Sequence, residues 1–213
     1  MTRKQVSPAA IVGVVEHGNS AVLVTVTSGG QLLDRRRIDL TSDLPTHPHH
    51  HEGSWAVGRY LDSPWARPTS LADAIALVER VRDSALQGAR QGLEALAATV
   101  GIPVSGIAIR ECPALPPTTE ARISDNRAQT YADSVMYREA LAGAAVARGW
   151  SVHWYDRGRV FKEAAAALRR DDLDAMLVAM GRAVGPPWQA QHKLAAAAAI
   201  AAATSRGSSS VTP

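Results

Sequence analysis

Two β-branched runs, Ala10-Ile-Val-Gly-Val-Val and Ala21-Val-Leu-Val-Thr-Val-Thr, stand only a few residues apart and constrain the fold more than any other feature. Side chains branched at Cβ are stiff at χ1 and pack well on a pleated surface, so each run predicts a strand. Ser28-Gly-Gly is a turn signal, and Gln31-Leu-Leu-Asp-Arg-Arg-Arg-Ile-Asp-Leu follows it as a third strand. Intervals this short join strands into an antiparallel meander, because a parallel crossover needs a dozen residues or more.

Beyond the meander the pattern changes. From Ser70 to Thr99 apolar residues recur at helical spacing (Leu71, Ile75, Val78, Val81, Leu86, Leu93, Leu96), with Ser70 as N-cap and Gly101 just past the end. Val104 to Glu111 reads as a short strand ending in charge, and Pro113 to Pro117 as turns. A helix then runs from Asp125 or Tyr131 to Arg148, and Trp150 to Asp156 reads as a fifth strand. Helices over Val160–Arg169 and Leu173–Val184 precede the Pro186-Pro187 break and a last helix from Gln189 to about Ala203. This order predicts an α/β fold: a mixed five-stranded sheet, three antiparallel strands and then parallel ones, flanked by helices. One domain over 10–203 follows, with a flexible N-terminus at 1–9 and a disordered tail at 204–213. Residues 41–69, with four prolines, four histidines and two tryptophans, are expected to form a long loop, functional or mobile.

The formal net charge of +3 permits nucleic-acid binding without demanding it, and excludes a polybasic arm or an acidic tail. Only Lys4, Lys162 and Lys193 are lysines, so arginine carries nearly all the positive charge and is suited to bidentate phosphate contacts. The arginine and alanine excess is also what a GC-rich genome produces. Cys112 is the single cysteine, which excludes an intramolecular disulfide and fits a reducing cytoplasm. Cys112 has no histidine base in sequence reach and is read as inert. The N-terminal apolar run is broken by Glu16, His17 and Asn19, too polar for a signal peptide. The alanine run from 195 to 203 falls short of the ~20 residues that span a bilayer. A cytoplasmic chain without a membrane segment, able to form a homodimer, is expected.

The element order resembles the ribonuclease H-like fold, and within it the RuvC family of Holliday-junction resolvases, over residues 10–203. The first strand, Ile11-Val-Gly-Val-Val-Glu16-His-Gly-Asn, is similar to that family's opening strand, whose acid here is glutamate and comes one residue late. Gly106-Ile-Ala-Ile-Arg-Glu111 is similar to its fourth strand, again with the glutamate offset by one. Trp154-Tyr-Asp-Arg-Gly-Arg-Val-Phe-Lys-Glu resembles the passage from its fifth strand into a helix, which places Asp156 at the edge of a site. In the closing helix, His192 and Ala195 stand where the family carries two aspartates three residues apart.

The resemblance implies a metal-dependent nuclease for structured or branched nucleic acid, DNA or RNA. Phosphodiester hydrolysis by the two-metal route needs hard oxygen ligands around Mg²⁺ or Mn²⁺. Glu16, Glu111, Asp156 and His192 are the catalytic candidates, with Glu16, Glu111 and His192 as metal ligands. The imidazole favours Mn²⁺ or a single ion, or serves as a general base. His47-Pro-His49-His50-His51-Glu52 adds His51 and Glu52 as further candidate ligands if the loop folds over the site, although consecutive side chains diverge. Trp55, Tyr60 and Trp65, interleaved with Arg59 and Arg67, would make an aromatic and basic lid. Two other readings remain open. One is a degenerate ribonuclease H-like module that binds nucleic acid or a protein without cutting. The other is a hydrolase of a small phosphorylated substrate working through the His51 and Glu52 loop.

Overall fold

A computed structural model describes residues 9–204. The flexible N-terminus expected before residue 9 and the polar tail expected after residue 204 lie outside them. The strands are β1 (Ala10–His17), β2 (Ser20–Thr27), β3 (Leu32–Asp39), β4 (Val104–Arg110) and β5 (Ser151–Tyr155). The helices are α1 (Glu52–Ala56), α2 (Leu71–Thr99), α3 (Thr119–Ser124), α4 (Asn126–Ala147), α5 (Val160–Leu168), α6 (Leu173–Val184) and α7 (Ala190–Thr204).

The sheet order is β3-β2-β1-β4-β5. β2 is antiparallel to both β1 and β3, while β4 and β5 run parallel to β1. This is the mixed five-stranded sheet, three antiparallel strands and then parallel ones, that the strand order predicts. β2 is buried along nearly its whole length, because helices cover both faces and an alternating pattern would leave polar groups stranded. On one face Val12, Val14, Leu23 and Ile38 pack with α2 and α4. On the other Ile11, Val22, Val24 and Val26 pack with α5, α6 and α7.

The alanine run of α7 is a packing device as well as a compositional bias. Ala195 to Ala199 are all fully buried, and a Cβ on Gly13 would fall 1.8 Å from the Ala195 carbonyl oxygen. Helix backbone and strand backbone therefore touch, which only side chains the size of alanine or smaller allow. The arginines of β3 divide as the pleat requires. Arg36 forks onto Asp34, Arg37 pairs with Asp39, and Arg35 donates to the Gly185 carbonyl before α7.

Two short helices were not foreseen. α3 begins at Thr118, whose hydroxyl accepts from the Ala121 amide, and it is too brief for periodicity to register. α1 lies inside the expected loop, where His51 and Gly53 amides bond back to the His47 and Pro48 carbonyls and wind the histidine segment into helical turns.

Candidate nucleic-acid groove at the strand ends

The parallel strands β1, β4 and β5 all end on one side of the sheet, and crevices form outside such carboxyl ends. Pairing between β1 and β4 is recorded to Gly13 opposite Ala108. Three residues further along each chain come Glu16 and Glu111, at adjacent strand ends. Val12 and Val14 face α2 and α4, so strand alternation turns Glu16 to that face too.

A side chain already fills the space an ion would take. Arg138 of α4, only 5% exposed, donates from Nη2 to Glu16 Oε1 at 2.7 Å and from Nη1 to the Glu111 carbonyl at 3.0 Å. The side chains of Glu16 and Arg138 are 10% and 6% exposed. Burial alone lowers the basicity of the Arg138 guanidinium, but the hydrogen bond and charge of Glu16 outweigh it and raise its pKa. The guanidinium is a permanent cation at this position.

The other expected site residues are spread around this centre. Asp156 Oδ1 accepts from the Gly158 and Arg159 amides, capping the turn into α5 at the groove's edge. His192 lies on α7, across the sheet from Glu16. Its ring stacks on Trp188, and its Nδ1 accepts from the Gln189 amide at 3.0 Å. Burial, and secondarily the charge of Arg35, lowers the His192 pKa and keeps the imidazole neutral.

His51 stacks on Trp55 at the exposed surface of α1. Glu52, half-buried beside it, has its carboxyl pKa raised by burial. The loop does pack at the same end of the sheet, through other residues: a Cβ on Gly18 would meet Thr46 and His47. His49, 1% exposed, sends its amide and Nδ1 to Asp133 Oδ1 at 3.0 and 2.9 Å, and the His50 amide reaches Oδ2 at 3.1 Å. Neighbouring histidines thus diverge, one inward and two outward. A carboxylate–imidazole pair this enclosed has no path to a substrate.

A divalent cation does not fit this donor set. Mg²⁺ and Mn²⁺ need several oxygen ligands converging on one point, yet Glu16 is committed to a guanidinium and His192 lies on the other face. Among the described residues no three His, Cys, Asp or Glu side chains form a group able to hold a metal. One residue earlier on each strand stand Val15, packed against the α7 face, and the exposed Arg110.

Residues overlooked in the sequence dominate the crevice. Arg110, Arg127 and Arg157 are exposed at its walls, and among the described residues none of the three has an ion-pair partner. On the α4 side the crevice encloses about 1020 Å³, and on the α7 side a second hollow of about 480 Å³ shares Arg110, Tyr155 and Arg157 with it. The two form one groove crossing the strand ends. Tyr155 is its buried floor: it donates to the Val14 carbonyl, and burial first, then the Glu16 charge, pushes its phenol up to about 12. A phenol so held is no acid or base near neutrality. No helix is long and apolar enough to cross a membrane among the described residues.

No family model matches this sequence, and no curated protein does. Among solved structures the chain is similar to Thermus thermophilus RuvC in complex with a Holliday junction substrate, at 12% identity and TM-score 0.48 over 94% of this chain and 96% of that one. It is also similar to the Thermus thermophilus RuvC structure, at 14% identity and TM-score 0.47 over 93% and 96%.

Proposed function

We propose that the chain is a nucleic-acid-binding module that does not cut, a ribonuclease H-like scaffold whose strand-end groove takes the phosphate backbone. The buried Glu16–Arg138 pair carries this reading. A guanidinium fixed between Glu16 and the Glu111 main chain supplies charge where a nuclease would need a metal, and it cannot activate a water nucleophile. Arg110, Arg127 and Arg157 then stand as fork-shaped donors facing solvent, suited to phosphate oxygens. Two of the acids around them are occupied, Asp156 holding the turn into α5 and Asp125 capping α4 by accepting from the Arg127 and Ala128 amides, while the Glu111 carboxylate is exposed at the same crevice.

Fluorescence anisotropy with labelled single strands, duplexes and four-way junctions of DNA and RNA, over a range of salt, tests the proposal. Binding is expected to weaken with salt, and Arg110→Ala or Arg157→Ala each to reduce the salt slope by about one phosphate contact. The same substrates are incubated with Mg²⁺ and with Mn²⁺. Cleavage that vanishes in Glu111→Gln or His192→Ala would restore the metal-dependent nuclease. Absence of binding to every substrate would end the nucleic-acid reading altogether.

A further inference from the structure

The groove has an aromatic side chain on each wing. Tyr131, on the outer face of α4 and 46% exposed, lines the larger hollow; Phe161, in the first turn of α5 and 42% exposed, lines the smaller. Between them lie Arg110 and Arg157, shared by both hollows. We infer that this groove is built for single-stranded nucleic acid, its bases stacking on Tyr131 and Phe161 while the backbone crosses Arg110 and Arg157.

The inference rests on the binding function above and narrows it. A duplex presents phosphates outward and keeps its base faces stacked inside, so a duplex in this groove would use the arginines and leave both rings without a partner. An unpaired strand offers a π-face at every nucleotide, and aromatic platforms beside a basic track are how sequence-tolerant single-strand sites are made. The arrangement also explains the exposure of the rings. Phe161 is the chain's only phenylalanine, and it stands at the groove rather than in either core. Tyr131 follows the same logic: Tyr137, two turns along α4, is fully buried and donates to the Thr46 carbonyl, whereas Tyr131 faces the hollow.

The experiment uses the full chain with a 20-nucleotide single strand carrying 2-aminopurine and with a duplex of equal length, since 2-aminopurine fluorescence falls when the base stacks. The single strand is expected to bind at least tenfold more tightly than the duplex and to be quenched on binding. Tyr131→Ala and Phe161→Ala should each weaken single-strand binding by about 5- to 150-fold, the equivalent of about 1–3 kcal/mol per stacked base, while leaving duplex binding unchanged. Tyr131→Phe should retain both affinity and quenching, because it keeps the ring. Both positions are at the surface, so folding is checked by circular dichroism and is expected to persist. Equal affinity for duplex and single strand, with both alanine variants neutral and Arg110→Ala still harmful, would overturn the inference and leave the binding function standing. Loss of all binding in the wild type would overturn both.

Discussion

Arg138→Met is the sharpest perturbation of the groove's centre. The change keeps an unbranched, flexible stem but removes the guanidinium and its charge, leaving the Glu16 carboxylate 10% exposed with its cation gone. At 2.7 Å the gross attraction is about 6 kcal/mol for an effective dielectric of ~20, much of it offset by the desolvation of both groups. What truncation measures is the cost of an uncompensated buried charge, about 3–5 kcal/mol. Loss of the donor to the Glu111 carbonyl adds about 1 kcal/mol. Against a domain stability of about 5–15 kcal/mol the variant sits near the edge of folding. Its Tm is expected to fall by about 8–24 °C, taking about 2–4 °C per kcal/mol for a chain of this size. Glu16→Met alone should be similarly harmful, because it strands the guanidinium. The double variant, with methionine at both positions, should recover most of the loss, since apolar replacements of a buried pair are often neutral or better. Urea denaturation of the four proteins, with m-values compared, gives the cycle. A cost below about 1 kcal/mol for Arg138→Met, the range of a solvated pair, would show that Glu16 is hydrated and free, and the argument against a metal there would collapse.

Three further outcomes follow from other contacts. Because the folded pKa of His192 lies below its ordinary value of 6.5, the stability it contributes is complete above about pH 6.5 and is lost as the pH falls through the lowered value. His192→Phe keeps the stack on Trp188 without the titration, so its melting temperature should decline less between pH 7 and pH 5 than the wild type's; parallel curves would show that the imidazole is not held neutral. Asp133→Asn places an amide where three N–H groups converge, and is expected to cost about 2–3 kcal/mol and to speed hydrogen exchange at the His49 and His50 amides specifically. Gly13→Ala drives a methyl into the Ala195 carbonyl and should reach or exceed the top of the ~1–3 kcal/mol range for overpacking, seen in thermal melts as a loss larger than for any alanine placed on the exposed face of α2.

The sheet was legible in the sequence because its signals are local. β-branched runs, the Ser28-Gly-Gly turn and the Ser70 cap each act within a few residues, and the cap is made as the spacing predicts, with the Ser70 hydroxyl accepting from the Asp73 amide. The site was less legible because it depends on which face of a strand a residue occupies and on what the opposing helix brings there. α4 carries Gln129 and Asp133 one turn apart, then Arg138, all buried. A buried polar side chain demands a partner, and polar residues at helical spacing within an otherwise alanine- and valine-rich stretch mark a face that meets polar groups. The signal lies in which residues share a face, and the bounds of the helix, Asp125 or Tyr131 to Arg148, do not carry it.

The face that Glu16 occupies on β1 sets its surroundings. Alternation has a period of two, so a shift of one residue is the largest change of environment a strand position can undergo: it moves the side chain through the sheet. Glu16 is therefore a residue of the opposite face from Val15: it pairs with Arg138 of α4, while also edging the hollow beside α7. Val15 packs with the apolar side of the sheet. Once a carboxylate is buried against α4, the helix must answer with a cation or leave it unpaired, and Arg138 answers. A metal site on the α7 face would require an acid there: Val15→Asp alone would bury a second carboxylate, and only a triple change with Glu16→Met and Arg138→Met would clear the first. Isothermal titration with Mn²⁺ is expected to show no binding to the wild type, and heat appearing in the wild type at a stoichiometry of one would refute the account at its root.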